Sequence, residues 1–141
     1  MIWKSNPNIK SLNSSGINTL VSHLGIEFTE IGADYLIARM PVDHRTIQPM
    51  GLLHGGASVS LAETLGSVAS VVVQKDPFEK AVVGVEINAN HLKSAKDGYV
   101  YGKVSPIKLG KRLHIWNIEI KDTDDNKICI SRLTTMLIER K

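Results

Sequence analysis

Apolar and polar positions along this chain follow two different periods, and the switches between them mark out its elements. Residues 26–31 and 35–41 read as two strands around a Gly32-Ala33-Asp34 turn. Residues 42–53 are loop-like, with Asp43, Pro49 and Gly51. A long apolar stretch over 55–74 then predicts a helix of roughly 30 Å at ~1.5 Å per residue. Lys75-Asp76-Pro77 closes it, because a proline pushes the residue before it out of the helical region. Beyond it Val83, Val85, Ile87 and Ala89 alternate with Gly84, Glu86, Asn88 and Asn90, the period of a strand. Further strands are predicted over 99–107, over 112–121, where Trp116, Ile118 and Ile120 share a face, and over 128–138 after a polar turn. Residues 8–24 read as a weak helix broken by Asn and Ser and punctuated by Gly16 and Gly25.

Short turns between consecutive strands make the sheet mostly antiparallel, and the long helix must bury its apolar faces against it. The expectation is an α+β fold with one central helix, in a single domain over 1–141. No apolar run reaches the ~18 residues that span a bilayer. The N-terminal Met-Ile-Trp-Lys-Ser-Asn-Pro lacks the layout of a signal peptide, so a cytoplasmic location and no membrane partner are expected. Cys129 is the one cysteine, which excludes an internal disulfide and a cysteine metal cluster. His23, His44, His54, His91 and His114 show no paired ligand spacing, so no metal is expected. A net charge of +3 without a dense basic stripe or stacking aromatics argues against nucleic acid. No Gly-x-Ser-x-Gly elbow is present for a serine hydrolase.

The chemistry concentrates where the helix begins. Gln48-Pro-Met-Gly-Leu-Leu-His54-Gly55-Gly56 puts a histidine and two glycines at the helix mouth, and Glu63 is the one charged residue between Ala57 and Val73. Amides at a helix start lack intrahelical partners, and the helix dipole adds partial positive charge there. Gly55 and Gly56 leave them open to a carbonyl oxygen, which suits an oxyanion. A carboxylate in a core helix is costly unless it is paired, hydrogen-bonded or shifted in pKa. Glu63 lies over two turns beyond Gly55, so one carbonyl meets both groups only if two helices pack antiparallel in a dimer. The residues alone leave a second reading open: a tight capped turn, with Glu63 paired to a buried basic residue. Ser67 either orients the carboxylate or a water, or bonds back to its own backbone.

The order of motifs carries a resemblance. Met40-Pro41-Val42-Asp43, Gln48-Pro49, Gly51 through Ser58, Glu63, Ser67, Val85 through His91 and Ser131-Arg132-Leu133-Thr134 resemble the hotdog-fold acyl-CoA thioesterases. Within them the chain is similar to the 4-hydroxybenzoyl-CoA and phenylacetate-pathway groups. It resembles in particular the 1,4-dihydroxy-2-naphthoyl-CoA hydrolases of menaquinone synthesis and their acyl-carrier proofreading relatives. The resemblance implies hydrolysis of CoA thioesters, with aromatic acyl groups preferred, at sites between the subunits of a homodimer, itself paired into a tetramer. It makes Glu63 the nucleophile or the general base, Gly55 the backbone donor, Gln48 and His54 positioning groups and Ser67 a support. The substrate is a small acyl-CoA or acyl-carrier thioester, and no separate cofactor is expected because CoA belongs to the substrate.

The carrier site follows from the same resemblance. His91, Leu92, Lys93 and Ser94 form one expected CoA segment, and Lys108, Leu109, Gly110, Lys111 and Arg112 another, with Val82 and Gly84 along the pantetheine channel. Lysines and arginines at strand ends suit phosphates, although surface lysines also collect at turns without a ligand. His91 reads equally as a carrier contact or a polar strand end. The competing function is a non-catalytic acyl-CoA-binding or regulatory module of the same fold, which would have no need of Glu63.

Overall fold

The computed structural model describes residues 1–141. Two short helices, α1 (Ile9–Ser14) and α2 (Leu20–His23), precede the hairpin β1 (Glu27–Ile31) and β2 (Leu36–Pro41). The long helix α3 (Gly55–Val72) comes next, then β3 (Lys80–His91), β4 (Tyr99–Leu109), β5 (Leu113–Asp122) and β6 (Lys127–Glu139). The weak helix expected over 8–24 is therefore two pieces. Asn8 caps the first and Thr19 the second, so the polar residues that interrupt the pattern are themselves start signals.

All six strands pair antiparallel in the order β1-β2-β4-β5-β6-β3. The connection through α3 carries the chain from one edge region to the other, so β3 pairs with β6 on one side only. The sheet curls around α3. Leu61, Ala62, Leu65 and Ala69 are sealed against Leu36, Ala38 and Met40 of β2, Val100 and Val104 of β4, Trp116, Ile118 and Ile120 of β5, and Leu133 of β6. Gly66 lets the helix sit that close, since a Cβ there would run into Leu133. Trp3 closes one end of the core, stacked on Trp116 at 6.2 Å with its indole N–H donating to the Gly32 carbonyl at 2.7 Å. Ser5 donates through both N–H and hydroxyl to the Val72 carbonyl, which satisfies one of the acceptors that the end of α3 leaves over. No helix is long and apolar enough to cross a membrane.

The alternation read into residues 83–89 holds only in part. Ile87 and Ala89 pack on the core, whereas Val83 and Val85 are exposed. Gly84 pairs with Thr135 and Glu86 with Thr134, which leaves Val85 as the extra residue of a bulge.

Candidate active site

Residues 41–54 carry the chain from β2 to the mouth of α3, and a tight turn fixes their path. Asp43 N–H donates to Thr46 Oγ1 at 3.1 Å, and the Thr46 hydroxyl donates to the Pro41 carbonyl at 2.7 Å. Hydrogen bonds from the Arg45 side chain and backbone hold the Asp43 carboxyl down at about 2. The buried Thr46 then offers its carbonyl to His54 N–H at 2.8 Å.

His54 caps the helix. Its Nδ1 accepts from Gly56 N–H at 2.7 Å, which places the proton of the neutral ring on Nε2. Its carbonyl accepts from Ala57 N–H at 3.0 Å. A helix start leaves four N–H groups without intrahelical partners. Those of His54, Gly56 and Ala57 are now accounted for, and the one left over is Gly55 N–H. Gln48 supplies a second free donor. Its Oε1 accepts from Met50 N–H, and a backbone N–H can meet only the oxygen of a carboxamide, so the NH₂ is the end turned loose. Gln48 and Gly55 line one cavity of about 390 Å³, together with His91, Leu92, Lys93 and Ser94. The His91 ring lies over Gly55, where a Cβ would come within 2.8 Å of its Nε2. Four of the expected carrier residues thus meet the expected donor.

Glu63 sits at the middle of α3 and opens into a different cavity of about 380 Å³, which it shares with Ser60, Thr64 and Ser67. It is half-buried rather than enclosed, and no cation reaches it, so the pairing with a buried basic residue is excluded. Its Oε1 rests against Gly84 of β3, beside the bulge, where any Cβ would overlap it. Gly84, expected along the pantetheine channel, is therefore a neighbour of the carboxylate. The serines of the helix part ways. Ser60 bonds back to the Gly56 carbonyl at 2.9 Å, Ser67 bonds neither to Glu63 nor to the backbone, and Ser70 turns into the core.

The second expected carrier segment lies elsewhere. Leu109, the last residue of β4, and Gly110, in the turn that leads to β5, share a cavity with Val73 and Gln74 just past the far end of α3. Lys108, Lys111 and Arg112 stand exposed around that turn. About 27 Å of helix, 18 residues at ~1.5 Å each, separates it from Gly55 of the same chain. Val82 is half-buried on β3 opposite Leu137.

A buried polar cluster on the far half of α3 was not foreseen. Trp116 Nε1–H donates to Ser70 Oγ at 2.7 Å, Thr135 Oγ1 lies at 2.7 Å and His114 Nδ1 at 3.0 Å. Burial pushes the His114 pKa down, and the Gly110 carbonyl facing the ring opposes this in part. A proton on Nε2 toward that carbonyl lets Nδ1 accept from Ser70, while Thr135 donates to Ser70. No buried side-chain polar atom in the chain lacks a partner. Although a serine and a histidine touch here, Ser70 is fully buried and its hydrogen-bonding capacity is spent. The available signal was a serine in an apolar helix together with a core tryptophan whose indole N–H needs an acceptor.

An antiparallel sheet curled around one helix, with a polar mouth where that helix starts, is the hotdog architecture. The chain belongs to the Thioesterase superfamily, whose family model matches residues 50–129. It is a thioesterase, which sets aside the non-catalytic binding module. It is 51% identical to the 1,4-dihydroxy-2-naphthoyl-CoA hydrolase of Escherichia coli over 138 residues, 98% of this chain and all of that protein. It is 48% identical to the proofreading thioesterase EntH of Cronobacter turicensis, across 98% of this chain and 99% of that one. The crystal structure of thioesterase HI1161 from Haemophilus influenzae superposes with a TM-score of 0.95 at 46% identity, covering 99% of this chain and 96% of the other.

Proposed function

We propose that this thioesterase hydrolyses aromatic acyl-CoA thioesters at sites shared between two subunits. Each site takes Gly55 N–H from one chain and Glu63 from the other. The observation that carries the reading is the division of labour along α3. The one unpaired amide of the helix mouth and the one carboxylate of the helix open into separate cavities of the same chain. Eight residues apart, they stand about 12 Å along the axis, too far to serve one carbonyl. A second α3 packed antiparallel brings Glu63 of one helix toward Gly55 of the other.

The free edge of β3 supplies a means of pairing. Twelve residues of that strand have backbone groups on one side without a neighbouring strand, and Val83 and Val85 are exposed beside them. Such an edge is a template for another strand, and a two-fold axis would let β3 pair with its own copy. In such a dimer the basic turn at Lys108, Lys111 and Arg112, which stands at the far end of α3 from Gly55 of its own chain, would serve the partner's helix mouth by binding a CoA phosphate there. The aromatic preference rests on the whole-length similarity to an enzyme named for a naphthoyl substrate.

In the proposed chemistry Gly55 N–H and the Gln48 amide polarise the thioester carbonyl, and His54 presents Nε2–H from the rim. Glu63 attacks the carbonyl carbon and expels the carrier thiolate, giving an anhydride that water cleaves to the free acid and the Glu63 carboxylate; or it draws a proton from a water that attacks the same carbon, and the C–S bond breaks as that proton passes to the departing thiolate. The unpartnered Ser67 hydroxyl is placed to hold that water. The test is complementation. Glu63→Ala and Gly55→Pro chains should each be inactive, because proline keeps a helix start but removes the N–H. Mixed dimers should regain about half of wild-type turnover, since one of two symmetric sites is then intact. Full subunit exchange, seen by native mass spectrometry, with folded chains and no regain would place the whole site within one subunit.

A further inference from the structure

The cavity that holds Glu63 has a wall that no catalytic role explains. Leu20 and Val21 of α2 face Val59 and Val68 of α3 across it, with Glu63 and Ser67 between them. Leu20 is 61% exposed although it sits on a firmly held turn of helix. Thr19 caps that turn through a bond from Val21 N–H and donates to the Gly16 carbonyl at 2.6 Å. Val21 fills the space that a side chain at Gly16 would need, and its carbonyl accepts from Ile26 N–H at 3.0 Å. The backbone of α2 is thus fixed from both sides while one large apolar side chain is left mostly exposed. Exposed leucines are common singly, but this one borders a cavity containing the one carboxylate of α3.

We propose that α2 is the specificity wall of the acyl pocket, with Leu20 as the residue that sets how large an acyl group fits. The inference rests on Glu63 marking the reacting carbon, as argued above. Thiol carrier and acyl group leave a thioester carbonyl in opposite directions. The carrier residues that meet Gly55 lie in the other cavity, and Gly84, which touches Glu63, does not line this one, so the apolar cavity on the α2 side of Glu63 is left to the acyl group. Val59 and Val68 give it apolar contact on one flank, and Leu20 and Val21 close the other. The wall lies outside residues 50–129, the part of the chain that the family model matches. Specificity on this wall can therefore change without touching the helix that carries the chemistry.

The experiment measures kcat/KM for acetyl-, benzoyl- and 2-naphthoyl-CoA with wild type, Leu20→Trp and Leu20→Met. Leu20→Trp narrows the pocket, and its penalty should grow along the series to about tenfold or more for the naphthoyl thioester relative to acetyl. Leu20→Met, close in volume, should keep all three within about threefold. A penalty of equal factor across the series, or none, overturns the proposal. Glu63→Ala is run beside them. If it loses turnover while Leu20→Trp leaves the series unchanged, only the wall is wrong. If Glu63→Ala keeps wild-type turnover, the assignment of the carboxylate falls, and the wall with it.

Discussion

Two polar clusters occupy the same helix and are built on opposite plans. Toward the far end of α3, Ser70 is fully buried and holds Trp116, Thr135 and His114 in one closed set of hydrogen bonds. Near the start and middle, Gly55 N–H, the Gln48 amide, the Glu63 carboxylate and the Ser67 hydroxyl have no partner among themselves and all border cavities. A closed set in a low dielectric stabilises and fixes the helix on the sheet, but it has nothing left to offer a substrate. Groups left open cost little at a surface and keep their full capacity for a ligand. Serine beside histidine is a closed structural unit here, whereas the lone glutamate is left with no neighbour to bond.

That contrast can be broken from either side. The largest effect is expected at Gly84, where a Cβ would overlap Glu63 Oε1. Gly84→Ala should displace the carboxylate and lower kcat by ~10²-fold, the scale of a misplaced reacting group, with little change in melting temperature. Steady-state kinetics beside thermal unfolding check this, and unchanged kcat would mean that the position of Glu63 is not critical. Ser70→Ala should do the reverse. It leaves the Trp116 N–H and the His114 ring unpaired in the core, at about 1–3 kcal/mol of stability in urea unfolding, while kcat/KM stays within about twofold. A catalytic defect with intact stability would show the two clusters to be coupled.

The smallest expected effect is a pH dependence. Burial holds the folded pKa of His114 below the ordinary imidazole value of 6.5, so between the two values the unfolded chain binds the extra proton. The contribution is fully present above about pH 6.5 and is lost progressively as the pH falls toward the folded value. Melting temperatures taken from about pH 7.5 down to 5 should decline for the wild type, and less steeply for His114→Asn. Parallel slopes would remove His114 as a source of the pH dependence.

Much of this was legible in the chain itself, and the failures have physical reasons. The long helix showed because one run of small and apolar residues ends in Lys75-Asp76-Pro77, though α3 stops at Val72, two residues sooner than the pattern suggested. Trp116, Ile118 and Ile120 announced the inner face of β5, and all three are fully buried. The distance between Gly55 and Glu63 followed from helical rise alone, and the two cavities respect it. Local pattern could not show the bulge at Val85, which arises from the pairing of β3 with a strand over forty residues later. For the same reason Gly84 was not seen beside Glu63, nor Leu20 across the cavity from Val68. Those contacts join segments that meet only once the sheet has curled. The role of Ser70 also lay outside the local pattern, because helical serines ordinarily bond back to their own turn and only the position of Trp116 makes it an acceptor.

The donor assigned to Gly55 belongs to the main chain, and this bears on how the enzyme can vary over generations. A side-chain donor disappears with almost any point mutation, whereas a backbone N–H is encoded by every amino acid except proline. Mutation at position 55 therefore rarely deletes the donor and mostly obstructs it, since any added Cβ presses on the His91 ring. Such damage is open to repair by a second change at His91 that restores access. The donor is inherited with the backbone, and lineages are free to drift in the residues around it.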